Sequence, residues 1–122
     1  KENFKIKNVK LLHLDYLNQP IKKSFDLLVC NPPYISKKEY EKLDLGIKKY
    51  EPTNALTDNK DGLTFYKKIK KDLPHLINKN GMVLLEIGLE KHKEKISKIF
   101  KEFQQEWHKD LNNNFRVIQI FK

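Results

Sequence analysis

Two consecutive prolines follow the apolar run Phe25-Asp26-Leu27-Leu28-Val29-Cys30, giving the tetrapeptide Asn31-Pro32-Pro33-Tyr34. The run reads as a strand that is apolar on both faces apart from Asp26, as expected inside a helix-covered parallel sheet. Each proline fixes its own φ and steers the residue before it out of the α region, so Asn31 cannot lead into a helix. Neither proline carries an N–H, which leaves the carbonyls of Asn31 and Pro32 free to face a ligand. Asn31 adds an acceptor oxygen and two donors, and Tyr34 adds a ring face for a flat group. The Asn31 oxygen and the Pro32 carbonyl can together accept both hydrogens of a substrate –NH2. A plain proline-rich turn after a strand fits the same residues, so the corner alone does not decide.

Around the corner the hydrophobic pattern alternates between strand and helix periods. Residues 9–14 read as a strand ended by Asp15, and residues 82–87 read as another central strand. Ser36-Lys37-Lys38-Glu39 has capping-box spacing and predicts a short helix. Residues 45–61, with Pro52 and several Asn and Asp, predict a long loop of the kind that often carries function. Leu63, Tyr66, Ile69, Leu73 and Leu76 recur at helical spacing, with an interruption expected at Pro74. Asn80-Gly81 reads as a turn. Leu89, Ile96, Ile99, Phe100 and Phe103 mark a second amphipathic helix, and residues 105–110 and 116–121 form a terminal strand pair about Asn112-Asn113-Asn114. Strands alternating with helices define an α/β domain with a mainly parallel sheet. Ligands in such sheets bind beyond the carboxyl ends of the strands, where both Asn31 and Asp15 fall. For Asp15 an exposed turn residue is an equally good reading.

With 122 residues the chain has room for one domain and a modest core. The net charge of +9 suggests a nucleic-acid surface, but the 25 basic residues include a single arginine, Arg116. The lysines spread along the chain and accompany eleven Asn and eleven Ile, a bias that AT-rich coding produces unaided. They read as solvated faces rather than a binding patch. The lone Cys30 excludes an internal disulfide and reads as a small buried side chain. His13, His75, His92 and His108 show no metal-ligand spacing, and His92, between Lys91 and Lys93, reads as a helix-surface residue. No apolar stretch approaches membrane-spanning length. The chain opens on Lys, so an excised segment is expected.

The segments after the corner carry a resemblance. Asn31-Pro32-Pro33-Tyr34-Ile35 is followed in order by Tyr50-Glu51-Pro52, Ala55-Leu56, Asp61-Gly62-Leu63 with Phe65-Tyr66, and Leu85-Glu86-Ile87-Gly88. This set resembles the HemK-type protein-glutamine N5-methyltransferases, which modify the glutamine of the Gly-Gly-Gln motif in class 1 peptide chain release factors. The likeness covers essentially the whole chain. Asp110-Leu111 with Arg116-Val117 looks like that family's final hairpin, with Asn where a glycine is usual, and Asn can take the same backbone geometry.

The resemblance implies S-adenosylmethionine as methyl donor and Asn31 with the Pro32 carbonyl as the catalytic pair holding the glutamine amide. Pro33 and Tyr34 would complete the substrate wall, and Asp15 and Asn31 would contact the cofactor, with no metal. It implies a Rossmann-like class I methyltransferase sheet, here the C-terminal portion, mainly parallel with a terminal antiparallel hairpin. Residues 1–122 would form a partial catalytic domain, monomeric and cytoplasmic (organellar if eukaryotic), with a release factor as protein partner. No membrane is implied, and nucleic acid is not the implied direct substrate. Tyr50 and Leu85-Glu86-Ile87-Gly88 favour the release-factor branch over a sister group that methylates a ribosomal protein.

Two features depart from that family. The Gly-rich cofactor loop and the acidic residue after the second strand are absent: Gly46, Gly62, Gly81 and Gly88 are the four glycines, none in a G-x-G context. The expectation is that the first two strands and the helical N-terminal domain are missing, and that this chain alone binds cofactor weakly or not at all. Two other functions stay open. One is an adenine- or guanine-N-methyltransferase that grips a base amine with the same corner. The other is an inactive remnant or a release-factor binding module.

Overall fold

The computed structural model describes residues 8–122. Its framework is a four-stranded mixed sheet of order β1-β2-β4-β3, with β1 Phe25–Cys30, β2 Ile77–Glu86, β3 Gln104–Lys109 and β4 Phe115–Phe121. β1 lies parallel to β2, whereas β4 runs antiparallel to both β2 and β3. The β1–β2 crossover is long enough to hold four helices: α1 Lys37–Glu41, α2 Leu45–Tyr50, α3 Thr53–Leu56 and α4 Thr64–Leu76. A fifth helix, α5 Lys93–Ile99, connects β2 to β3 after a single 3₁₀ turn at Glu90–His92.

The core lies between one face of this sheet and the helices α4 and α5. Tyr66, Ile69, Leu73 and Leu76 repeat at helical spacing, and all four are buried along one stripe of α4. They meet Val83 and Leu85 of β2, Ile118 and Ile120 of β4, and Ile96 and Phe100 at α5. Alternation along each strand selects these residues, because only every second side chain faces the helices. Pro74 stays inside the last turn of α4 and does not interrupt it.

Several sequence-based expectations change. Residues 9–14 form no strand. A strand needs a neighbour to take its backbone hydrogen bonds, and among the described residues none lies beside this segment. Asn80-Gly81 is not a turn between elements but part of an irregularity within β2, where the register passes from Phe25↔Ile77 to Leu27↔Met82. Residues 45–61 are not one long loop, since they hold α2 and α3. The terminal hairpin forms as expected. Asn113 takes the left-handed conformation at φ 66°, and Asp110 Oδ1 accepts from the backbone N–H of Asn112 and Asn114, each at 2.9 Å.

On β1, Leu28 and Cys30 pack toward the core, while Leu27 and Val29 point the other way and remain 50% and 68% exposed. Among the described residues the outer edge of β1 has no partner strand. An exposed apolar edge of this kind invites pairing with other chains. Replacing Leu27 and Val29 together by Lys is expected to suppress concentration-dependent self-association in sedimentation velocity. The urea midpoint should shift by no more than the equivalent of ~0.5 kcal/mol, since neither side chain is buried.

Candidate active site

The corner stands at the carboxyl end of β1, beside the end of its parallel neighbour β2. Pro32 is buried and Asn31 is exposed, so the proline anchors the bend while the amide projects from it. The chain beyond is pinned twice. Ile35 N–H donates to the Leu56 carbonyl at 3.0 Å, tying the corner to α3. Ser36 then caps α1: its backbone N–H donates to Glu39 Oε2 at 2.9 Å, and its Oγ accepts from Glu39 N–H at 3.4 Å. The predicted capping box is therefore present. The hydroxyls of Tyr40 and Thr53, 2.9 Å apart, join α1 to α3.

Tyr34 is held more tightly than a simple wall of a slot would need to be. Its hydroxyl donates to Glu86 Oε1 at 3.0 Å. Burial, and then the Glu86 charge, push its pKa up, which keeps it a neutral donor. Two glycines close on it. A Cβ on Gly88 would stand 2.5 Å from Tyr34 Cδ2, so only a residue without a side chain lets the ring lie there. A Cβ on Gly62 would stand 2.3 Å from the Tyr34 carbonyl oxygen, and Gly62 has φ +77°. Glu86 is fixed in turn, because Tyr66 donates its hydroxyl to the Glu86 carbonyl at 2.7 Å.

Gly62 is positioned by Asp58, a residue that sequence reasoning passed over. Asp58 Oδ1 accepts from Lys60 N–H at 2.8 Å and Gly62 N–H at 3.0 Å, and Oδ2 accepts from Thr64 N–H at 3.1 Å. Burial alone would raise its pKa, but the Thr64 hydroxyl and these backbone donors outweigh it and leave the carboxyl below its usual range. The available signal was an Asp shortly before the helical run of α4, where carboxylates take up unpaired N–H groups.

Two cavities meet at Asn31 and Pro32. One, of about 690 Å³, is lined by those residues with Tyr34 and Ile35 on one side and Ile47, Tyr50, Glu51 and Leu56 on the other. The second, of about 250 Å³, is mainly apolar and is lined by Tyr16, Leu28, Cys30, Pro33 and Phe65 as well. The Tyr16 ring lines it, while the Tyr16 hydroxyl is directed to Asp72 of α4. Burial also raises the pKa of the Cys30 thiol, in keeping with an inert side chain.

Asp15 sits apart from this pair. It lines a third cavity, of about 600 Å³, that shares Tyr16, Pro33 and Phe65 with the second. Its carboxylate accepts from Leu17 N–H at 3.1 Å and Asn18 Nδ2 at 2.7 Å, and the Asn18 bond lowers its pKa. The structure thus brings Asn31, Pro32, Pro33 and Tyr34 together and leaves Asp15 in its own turn.

His92 differs from expectation. It is buried at 7% exposure, with Nε2 3.4 Å from Glu39 Oε1. Lys91 Nζ reaches the same oxygen at 2.5 Å. No group of three His, Cys, Asp or Glu side chains among the described residues is arranged to hold a metal. No described helix is long and apolar enough to cross a membrane.

A strand-end corner on a sheet of this order is the arrangement of a methyltransferase-type α/β fold. The fold matches a crystal structure of a methyltransferase from Pyrococcus furiosus with TM-score 0.55 and 20% identity, covering 84% of this chain and 43% of that one. Among curated proteins, the release factor glutamine methyltransferase of Fusobacterium nucleatum is 41% identical over 97% of this chain and 30% of its own length. That of Bacillus subtilis is 40% identical over 91% of this chain and 40% of its own. A bifunctional methyltransferase of Rickettsia bellii is 36% identical over 92% of this chain and 20% of its own. Nearly the whole chain is therefore related to a part of the release factor glutamine methyltransferases, and it spans well under half the length of these relatives. No family model matches the chain.

Two outcomes follow from the site geometry. Gly88→Ala is expected to expel the Tyr34 ring, seen as altered near-ultraviolet circular dichroism together with a loss of about 1–3 kcal/mol in urea unfolding. The capping box should also have a pH signature. Burial works to raise the Glu39 pKa, but Lys91, Ser36 and His92 outweigh it and bring it from the ordinary 4.5 down to about 2. A depressed carboxyl stabilises the fold above its unfolded value and loses that stabilisation as pH falls through its folded value. Stability measured between those two pH values should therefore fall less steeply in Glu39→Gln than in the unaltered chain.

Proposed function

We propose that this chain is the C-terminal part of the catalytic domain of a protein-glutamine N5-methyltransferase that modifies the Gly-Gly-Gln glutamine of a class 1 peptide chain release factor. The observation that carries the reading is the corner itself: an exposed Asn31 beside a buried Pro32, braced from both sides, within segments that match relatives of that name. A carboxamide nitrogen is a poor nucleophile because its lone pair is delocalised into the carbonyl. With Asn31 Oδ1 and the Pro32 carbonyl accepting both N–H hydrogens, electron density moves toward the nitrogen and its direction is fixed. Positioning and preorganised dipoles then supply most of the acceleration. The proton leaves after the bond has formed, so no strong base is needed.

S-adenosylmethionine, when bound, supplies a methyl group activated by a sulfonium. Within this chain the residues that would hold it are Asn31 and Pro32, beside the mainly apolar wall of the 250 Å³ cavity. Asp15 would reach the cofactor from the adjoining cavity, with acceptor capacity left on each carboxylate oxygen. The 250 Å³ cavity is smaller than a typical ligand pocket, so the chain supplies one wall of a cofactor site rather than all of it. The open edge of β1 supports the same conclusion, since further strands would lie beside it in the whole enzyme, and the exposed Leu27 and Val29 mark a sheet face that further elements would cover.

Among the described residues no lysine, arginine or histidine lines the 690 Å³ cavity. That disfavours a phosphate-bearing substrate and favours an uncharged amide over a base in nucleic acid. In an enzyme that carries this chain, Asn31→Ala is expected to lower transfer of labelled methyl groups to unmodified release factor by at least ~100-fold. Normal turnover in that variant would overturn the proposal.

A further inference from the structure

A cavity of about 790 Å³ opens where α1, residues 59–61 and the turn before α5 meet. It shares no residue with the two cavities at Asn31 and Pro32. Six lysines line it: Lys37, Lys38 and Lys42 along α1 and its end, Lys60 from the loop, and Lys91 and Lys95 from the 3₁₀ turn and α5. Scattered along the sequence, they are gathered by the fold. None of the three cavities around the corner has a lysine among its described lining residues. Two contacts bring the segments together. Lys37 N–H donates to the Lys60 carbonyl at 3.0 Å, and Lys91 Nζ pairs with Glu39 Oε1 at 2.5 Å.

The positive charge gathered here is not balanced from within. Two carboxylates line the cavity, Glu39 and Asp61, and both are already engaged. Glu39 holds Ser36 and Lys91, while Asp61 pairs at 2.7 Å with Lys67, which is outside the lining. Lys37, Lys38, Lys42, Lys60 and Lys95 are exposed and have no ion-pair partner among the described residues. His92 also lines the cavity: its side chain is 9% exposed, and its Nδ1 has no hydrogen-bond partner among the described residues. No Leu, Ile, Val, Met, Phe, Tyr or Trp is in the lining. Protein–protein interfaces are poor in lysine and centre on apolar or aromatic anchors, whereas nucleic-acid interfaces are polar and strongly basic. Single strands are held by stacking their bases on aromatic rings, and a duplex, with its bases paired inward, needs none. Lysine ammonium groups suit phosphate oxygens as compact point charges that do not fix an orientation. We infer that this cavity is a docking site for the phosphodiester backbone of a nucleic-acid duplex, held by charge and not by base identity. The duplex is bound there and not methylated, so the inference stands independently of the glutamine reading.

Fluorescence anisotropy with the full 122-residue chain tests it. The probes are labelled RNA and DNA duplexes of about 20 base pairs, the matching single strands, and a labelled oligoglutamate. At least one duplex is expected to bind, with an affinity that falls steeply as salt rises. The triple variant Lys37→Gln, Lys42→Gln, Lys60→Gln should weaken that binding about tenfold and make its salt dependence shallower by about two to three ions. A control of equal charge, Lys23→Gln, Lys79→Gln, Lys101→Gln, alters lysines that line none of these cavities and should stay within about threefold of the unaltered chain. Far-ultraviolet circular dichroism should be unchanged in both, since every altered residue is exposed. Equal losses in the two triple variants would trace the binding to net charge and overturn the site. Failure of both duplexes to bind, or tighter binding of a single strand or of oligoglutamate than of either duplex, would overturn it as well.

Discussion

The confinement of Tyr34 is the contact on which the rest of the site depends. Its carbonyl is pressed against Gly62, its ring against Gly88, and its hydroxyl is bonded to Glu86. Those three partners come from the loop before α4 and from the end of β2. Tyr34 therefore locks the corner after β1 to the start of α4 and the end of β2. Prolines alone restrict φ, but they do not choose where a bend points in space. That direction comes from contacts distant in sequence, and here they converge on one side chain.

Around this lock the molecule separates two kinds of surface. The side facing α4 and α5 is densely apolar, with Tyr66, Leu73, Leu85, Ile96, Phe100, Ile118 and Ile120 at 0% exposure. The side carrying the corner is built from short helices whose stability comes from side-chain caps at Ser36 and Asp44 rather than from burial. Helices made this way leave their side chains available. A substrate surface needs that property, and a core cannot provide it.

What could be read from the sequence was what local chemistry decides. The proline corner, the Ser36–Glu39 capping box and the terminal hairpin follow from residues a few positions apart, and all three are present. The stripe on α4 was legible because thirteen residues are enough to display a period. Helices of six and four residues show none, so α2 and α3 were read as loop. The roles of Gly62 and Gly88 depend on Tyr34 approaching from far along the chain, and no local pattern announces that. His92 was misread because its lysine neighbours look like surface, whereas its burial depends on α1 folding back to bring Glu39 against it. Residues 9–14 have the composition of a strand, but pairing is a property of two segments and cannot be read from one.

The order β1-β2-β4-β3 has a consequence for how the chain is made. Translation proceeds from the amino end, yet β4, the last of the described strands, lies inside the sheet and contributes Ile118 and Ile120 to its centre. Until those residues emerge from the ribosome, β2 keeps a bare side and α4 has no finished surface to rest on. The nascent chain must therefore wait, partly collapsed, for β4 before this sheet can close. A stop codon ahead of Ile118 would leave it permanently in that waiting state.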